Sequence, residues 1–170
     1  MRYIFFLLIF TWKLIALDIG SSFQANFVQI IYDEQGKEII YKGKVYALKP
    51  QNILWSYEEP IQKDVYISQS VVTVVEPELE QAIVKSLDAD LNLFELLQTA
   101  KQVSVQEYIA QYRDQLYSLY LKDTLLETIR YKDQFEHTIE ISFSNQKKDQ
   151  PIDAKLLTPF IPEGFDIIRQ

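Results

Sequence analysis

The chain has 170 residues, 48% of them hydrophobic, no cysteine and a formal net charge of −7. That length suits one domain with a real core. The acidic balance argues against nucleic acid or an anionic membrane surface as a partner, since both need a basic patch. The missing cysteine excludes a disulfide framework and a thiolate metal site.

Arg2 opens the chain, followed by an almost wholly apolar run over residues 3–12 that Lys13 interrupts and residues 14–17 resume. Ten residues fall short of the roughly 20 that span a bilayer. The segment therefore reads as a secretory signal, residues 1–16, with Ala16 at the cut. Leu14 is large for the position two before it. A single domain, 17–170, is expected to follow. Without a cysteine after the signal the product is not itself lipidated, so a soluble periplasmic monomer is expected.

Strand-like alternation dominates the rest of the chain. Phe23, Ala25, Phe27 and Ile31 share one parity, with Gln29 the polar exception. Residues 33–36 turn the chain, and a strand over 39–48 follows, broken by Gly43. Val45 and Ala47 take one side of it, Tyr46 and Leu48 the other. Residues 49–52 are a turn or a strand break around Pro50, which cannot donate to a ladder. Ile53, Trp55 and Tyr57 then share a face. Residues 64–68 and 71–75 read as a hairpin, and 79–87 as a further strand. Residues 106–113, 116–122 and 125–130 are strands separated by Asp-containing turns. Phe135, His137, Ile139, Ile141 and Phe143 alternate with polar residues, the pattern of a half-buried strand. Residues 146–151 are the most linker-like stretch, too short to divide domains. The spacing predicts a strongly curved antiparallel sheet or barrel.

One segment breaks the period. Residues 90–100 carry Leu93, Phe94 and Leu97 at helical spacing beside Leu96, with Asn92 and Glu95 resembling a capping box. The helix either closes one end of a barrel or is a movable lid.

Catalytic chemistry finds no footing. His137, the single histidine, is expected on the apolar face of its strand, satisfied or lining a cavity. It lacks the neighbouring ligands of a zinc site. No nucleophile elbow, phosphate loop or His-Glu-x-x-His run is present. Glu58 and Glu59 alternate across a strand or sit in a turn and so do not converge, and Asp88 and Asp90 read as helix-start signals. No enzyme activity and no cofactor are expected. The Ile53, Trp55 and Tyr57 face is either plain core or the wall of a cavity, because both need apolar inward positions.

Several runs together resemble a known family. They are Lys49-Pro50 with Trp55, Tyr57 and Pro60, and Glu76-Pro77-Glu78-Leu79-Glu80-Gln81-Ala82. Ser21-Ser22-Phe23 continues to Phe27 and Gln29. Asp33 and Gly36 sit at the first hairpin turn, Gly43 before the next strand, and Pro162, Gly164 and Asp166 in the tail. In this order they resemble LolA, the periplasmic carrier family of outer-membrane lipoproteins. The resemblance implies a mainly β (α+β) fold, an incomplete antiparallel β-barrel covered by a short helical lid. It implies a carrier that receives acylated lipoproteins from an inner-membrane lipoprotein-releasing ABC transporter and delivers them to an outer-membrane lipoprotein receptor. The acyl-chain site it implies comprises Phe27, Ile31, Ile53, Trp55, Tyr57, Val65, Leu93, Phe94 and Leu97. Lys49 stands where the family usually has a lid-latching Arg, and Lys lacks the planar fork of that group. Cleavage after Ala16 leaves little room for the helix that family members commonly carry before the first strand. A lipid-binding sensor module on a similar half-barrel is the alternative reading, and a secreted hydrolase the remaining one.

Overall fold

A computed structural model describes residues 17, 19–68, 70–86, 93–112 and 114–170, without the side chains of Leu93 and Glu95. The expected signal, Asp88, Asp90 and the capping box of Asn92 and Glu95 thus lie outside the described residues. The elements in chain order are β1 (Ser22–Tyr32), β2 (Glu38–Leu48), β3 (Asn52–Glu59), β4 (Lys63–Ser68), β5 (Val71–Glu76) and β6 (Gln81–Ser86). Then come the helix α1 (Leu93–Gln98), β7 (Lys101–Gln102), β8 (Glu107–Tyr112), β9 (Gln115–Lys122), β10 (Leu125–Lys132), β11 (Thr138–Lys148) and β12 (Asp166–Arg169).

The described strands form one sheet in the order β12-β6-β5-β4-β3-β2-β1-β11-β10-β9-β8-β7. Neighbours are antiparallel except β12, which lies parallel to β6 with Asp166 opposite Gln81. The sheet is thus mostly antiparallel, as expected, with β12 the exception among the described strands. The difference arises because the chain crosses the sheet between β11 and β12 instead of turning in a hairpin, and only such a crossover permits parallel pairing. The sheet is not closed, since β12 and β7 remain its two margins.

Side-chain alternation sorts the sheet into two faces. One buries Phe23, Phe27, Val45, Ile53, Leu119 and Ile141 with α1 residues Phe94, Leu96 and Leu97. Aromatic rings brace its centre. Phe23 meets Phe143 edge-on at 5.8 Å, and Phe27 meets both Trp55 and Tyr57 edge-on at 5.1 Å. Leu17 and Ile19, ahead of β1, are also buried here. The other face holds a smaller cluster of Leu54, Tyr66, Val75 and Ala82, covered by Leu157 and by Ile152, Ile161 and Phe165. The segment between β11 and β12 is therefore a strap across the back of the sheet.

Local expectations fare unevenly. β2 runs unbroken through Gly43, and its irregularity is a register shift against β3 between Lys42 and Gly43. A Cβ on Gly43 would lie 2.0 Å from the Ser56 carbonyl oxygen and 2.9 Å from the Phe27 ring. The glycine thus serves close approach and leaves the strand whole. Leu79 belongs to a 3₁₀ turn, Pro77–Leu79, and β6 starts at Gln81, because Pro77 cannot supply a ladder donor. Residues 146–148 belong to β11, so only 149–151 of the most linker-like stretch lie outside a strand. Phe135 and His137 sit in the turn before β11, where Phe135 is exposed. His137 is therefore not on a strand face. Its Nδ1 lies 3.0 Å from Asp133 Oδ2, and Asp133 Oδ1 accepts from the backbone N–H groups of Phe135 and His137. A side-chain acceptor that replaces ladder bonds ends the alternation early. Burial pushes the Asp133 carboxyl up, but those hydrogen bonds outweigh it and hold it below the usual carboxylate range.

Candidate lipid-binding cavity

β3 projects Ile53, Trp55 and Tyr57 onto the inner face at every second position. Opposite them in the ladder, β4 contributes Ile67 against Ile53 and Val65 against Trp55. On the far side, Gln29 of β1 pairs with Ile141 of β11, which pairs with Ile129 of β10. Tyr131 of β10 pairs with Tyr117 of β9, their ring centroids 5.0 Å apart. All these residues, with Leu96 of α1, line one partly open cavity of about 220 Å³. β4 and β9 stand six places apart in the sheet order. A flat sheet with strands about 4.8 Å apart would hold them about 29 Å from one another. Sharing a cavity this small requires the sheet to curl around it.

The cavity wall carries no charged side chain among its described residues. Its polar groups are an amide and phenols. The Tyr57 hydroxyl donates to Gln29 Oε1 at 2.9 Å. Burial, with Tyr131 and Tyr41 nearby, pushes the Tyr57 hydroxyl well above the ordinary tyrosine range. Burial, with Tyr117 and Asp133, pushes Tyr131 up to about 12. Burial also raises Tyr117. These phenols stay neutral at physiological pH and present a mildly polar, uncharged lining.

Of the residues named from sequence, Ile53, Trp55, Tyr57 and Val65 line the cavity. Phe27 lies beneath it, 1% exposed, as the support for Trp55 and Tyr57. Ile31 packs against the same core further along β1. Phe94 and Leu97 are buried in the core behind the wall. The side chain of Leu93 is outside the described residues. Sequence reasoning named no site role for Gln29, Ile67, Leu96, Tyr117, Ile129, Tyr131 or Ile141. The parity exception at Gln29 and the alternation of β11 were signals toward two of them. The Lys49 ammonium lies over the Phe94 ring, 5.6 Å from its centroid, and so links the β2–β3 turn to α1. Among the described residues no cluster of three His, Cys, Asp or Glu side chains is placed to hold a metal ion.

A family model described as outer membrane lipoprotein carrier protein LolA matches residues 20–159. The chain belongs to the LolA family. It is 35% identical over 162 residues to the outer-membrane lipoprotein carrier protein of Campylobacter jejuni, covering 95% of both chains. It is 38% identical over 160 residues to the protein of the same name from Wolinella succinogenes, covering 92% of both. Among solved structures it is similar to a LolA superfamily protein from Nitrosomonas europaea. The TM-score is 0.55 at 15% identity, over 85% of this chain and 94% of that one. This last likeness concerns the fold alone. LolA-family carriers are non-enzymatic chaperones, which accords with a site offering apolar surface and neutral hydrogen-bonding groups.

Proposed function

We propose that this LolA-family chain is a periplasmic carrier that encloses the acyl chains of lipoproteins leaving the inner membrane and delivers them to an outer-membrane receptor. An ABC transporter of the inner membrane would supply the cargo. The observation that carries this reading is the uncharged, apolar cavity on the inner face of an unclosed sheet. Acyl chains are the ligand such a wall favours, at roughly 0.8 kcal/mol per buried methylene.

The cavity volume bears on how cargo enters. About 220 Å³ is below the roughly 300–1,000 Å³ of ordinary small-molecule sites, so several acyl chains require it to widen. α1 is the element best placed to give way. It is six residues long, lies in the connection between β6 and β7 near opposite margins of the sheet, and puts Leu96 on the cavity wall. In this reading α1 is the lid, and Lys49 over Phe94 is the latch that holds it down. Opening costs free energy, which lowers net affinity and lets cargo pass to a receptor that binds more tightly.

The test is co-purification from the periplasm followed by transfer. The carrier is expected to emerge with triacylated protein and to pass a labelled lipoprotein to receptor-bearing membranes. Recovery of the chain free of acylated protein, with no transfer, would count against the proposal.

A further inference from the structure

We propose that the Gln29 side-chain amide is a carbonyl-recognition group, whose Nε2 donates to the ester or amide carbonyl of an acyl chain seated in the cavity. The inference rests on the carrier reading and deepens it. It would make the protein a receptor for esterified or amide-linked chains in preference to bare hydrocarbon.

Gln29 follows Phe23, Ala25 and Phe27 on the inner parity of β1, and it is the one residue of this series whose side chain is a hydrogen-bonding group. It is 9% exposed and lines the cavity. Its ladder neighbours on either side are Tyr41 and Ile141. The Tyr57 hydroxyl donates to Oε1 at 2.9 Å and engages one lone pair of the amide oxygen. Tyr57 is itself held edge-on against Phe27 and Tyr41. The Nε2 end carries two N–H donors and meets no protein acceptor among the described residues.

While the cavity is open, solvent can satisfy that donor. An acyl chain that expels the solvent removes this partner, and an unpaired buried donor is costly. A chain that brings a carbonyl to Nε2 avoids the cost, and a plain alkane does not. The acceptor should be neutral. The described wall holds no charged side chain, so a carboxylate drawn in would lose its hydration without a counter-ion. Lys63 stacks its ammonium over the rings of Tyr41 and Tyr57 and is not part of the wall.

The experiment measures displacement of a fluorescent apolar dye from the full-length protein by three probes. They are a medium-chain methyl ester, the n-alkane of equal heavy-atom count and the free acid of equal chain length, each delivered from cyclodextrin. Gln29→Met keeps the side-chain length and removes the donor. The ester-to-alkane affinity ratio is expected to fall about fivefold from the native protein to the variant, the worth of one net hydrogen bond, while alkane affinity holds or rises. A ratio unchanged by Gln29→Met overturns the inference and leaves the carrier reading standing. So does a free acid preferred to the ester by the native protein. No displacement by any probe sinks both. A second measurement needs no variant. The Gln29 side-chain amide protons should move downfield in the NMR spectrum on adding ester but not alkane, and no such movement overturns the inference.

Discussion

Gly43 shows how one position can govern the cavity. Its missing side chain admits the Ser56 carbonyl and the Phe27 ring at distances no Cβ tolerates, and Phe27 supports Trp55 and Tyr57. Gly43→Ala is expected to destabilise the protein by about 1–3 kcal/mol, at the upper end because the nearest atom is backbone and cannot rotate away. A urea midpoint corresponding to a loss below about 0.5 kcal/mol would contradict the close-approach argument. The buried phenols make a second prediction. The folded-state pKa of Tyr131 is raised to about 12 from an unfolded value of about 10. Its contribution to stability is therefore fully present below about pH 10 and is lost as pH rises toward 12. Tyr131→Phe removes the ionisable group and should flatten the decline in urea midpoint over that window. An unchanged slope would place the alkaline sensitivity elsewhere.

At the scale of elements, α1 differs from the strands that face it. β1 and β11 are interior strands of the sheet, paired on both sides, and α1 belongs to no ladder. Backbone groups in such an element open at lower free energy than those of central strands. Hydrogen exchange in the empty protein is expected to be faster for α1 than for β1 and β11, and slower once acyl chains are bound. Lys49 is half-buried and the Phe94 ring is buried, so their contact is worth about 0.5–2 kcal/mol. Lys49→Leu should thus increase the open population about two- to thirtyfold, with global stability lowered by no more than that contact. Lys49→Arg should reverse the effect, since a guanidinium also stacks on aromatic rings. Exchange in α1 that is the same in native protein and Lys49→Leu would remove the latch role.

At the scale of the molecule, the sheet has two covers that do different work. One face closes around a cavity, and the other is sealed by the strap that ends in β12. Leu157 is buried against Leu54, Tyr66, Val75 and Ala82, and β12 occupies the outer edge of β6. Deleting residues 150–170 would expose that apolar cluster and leave β6 as an unprotected margin, a recognised route to edge-to-edge association. Light scattering is expected to show concentration-dependent self-association of the truncated protein, together with a lowered urea midpoint. A truncated chain that stays monodisperse with the native midpoint would show that the strap is dispensable.

Local pattern reaches a defined distance in this chain. Period-two alternation reports which residues share a face, so β1, β3, β4, β5, β8, β9 and β10 were legible, as was the common face of Ile53, Trp55 and Tyr57. A break in period marked α1, and ordered motifs carried the family. Alternation says nothing about what lies across a face. Gln29, Tyr117, Ile129, Tyr131 and Leu96 come from three strands and a helix far apart in sequence and meet only because the sheet curls. The core positions of Phe94 and Leu97, the departure of His137 from its strand and the parallel seat of β12 depend likewise on neighbours absent from the local sequence. Apolar side chains determine by themselves that a face is buried. Whether that burial is against other side chains or around an empty volume is decided by the curvature of the sheet and the placement of α1, which are properties of the whole fold.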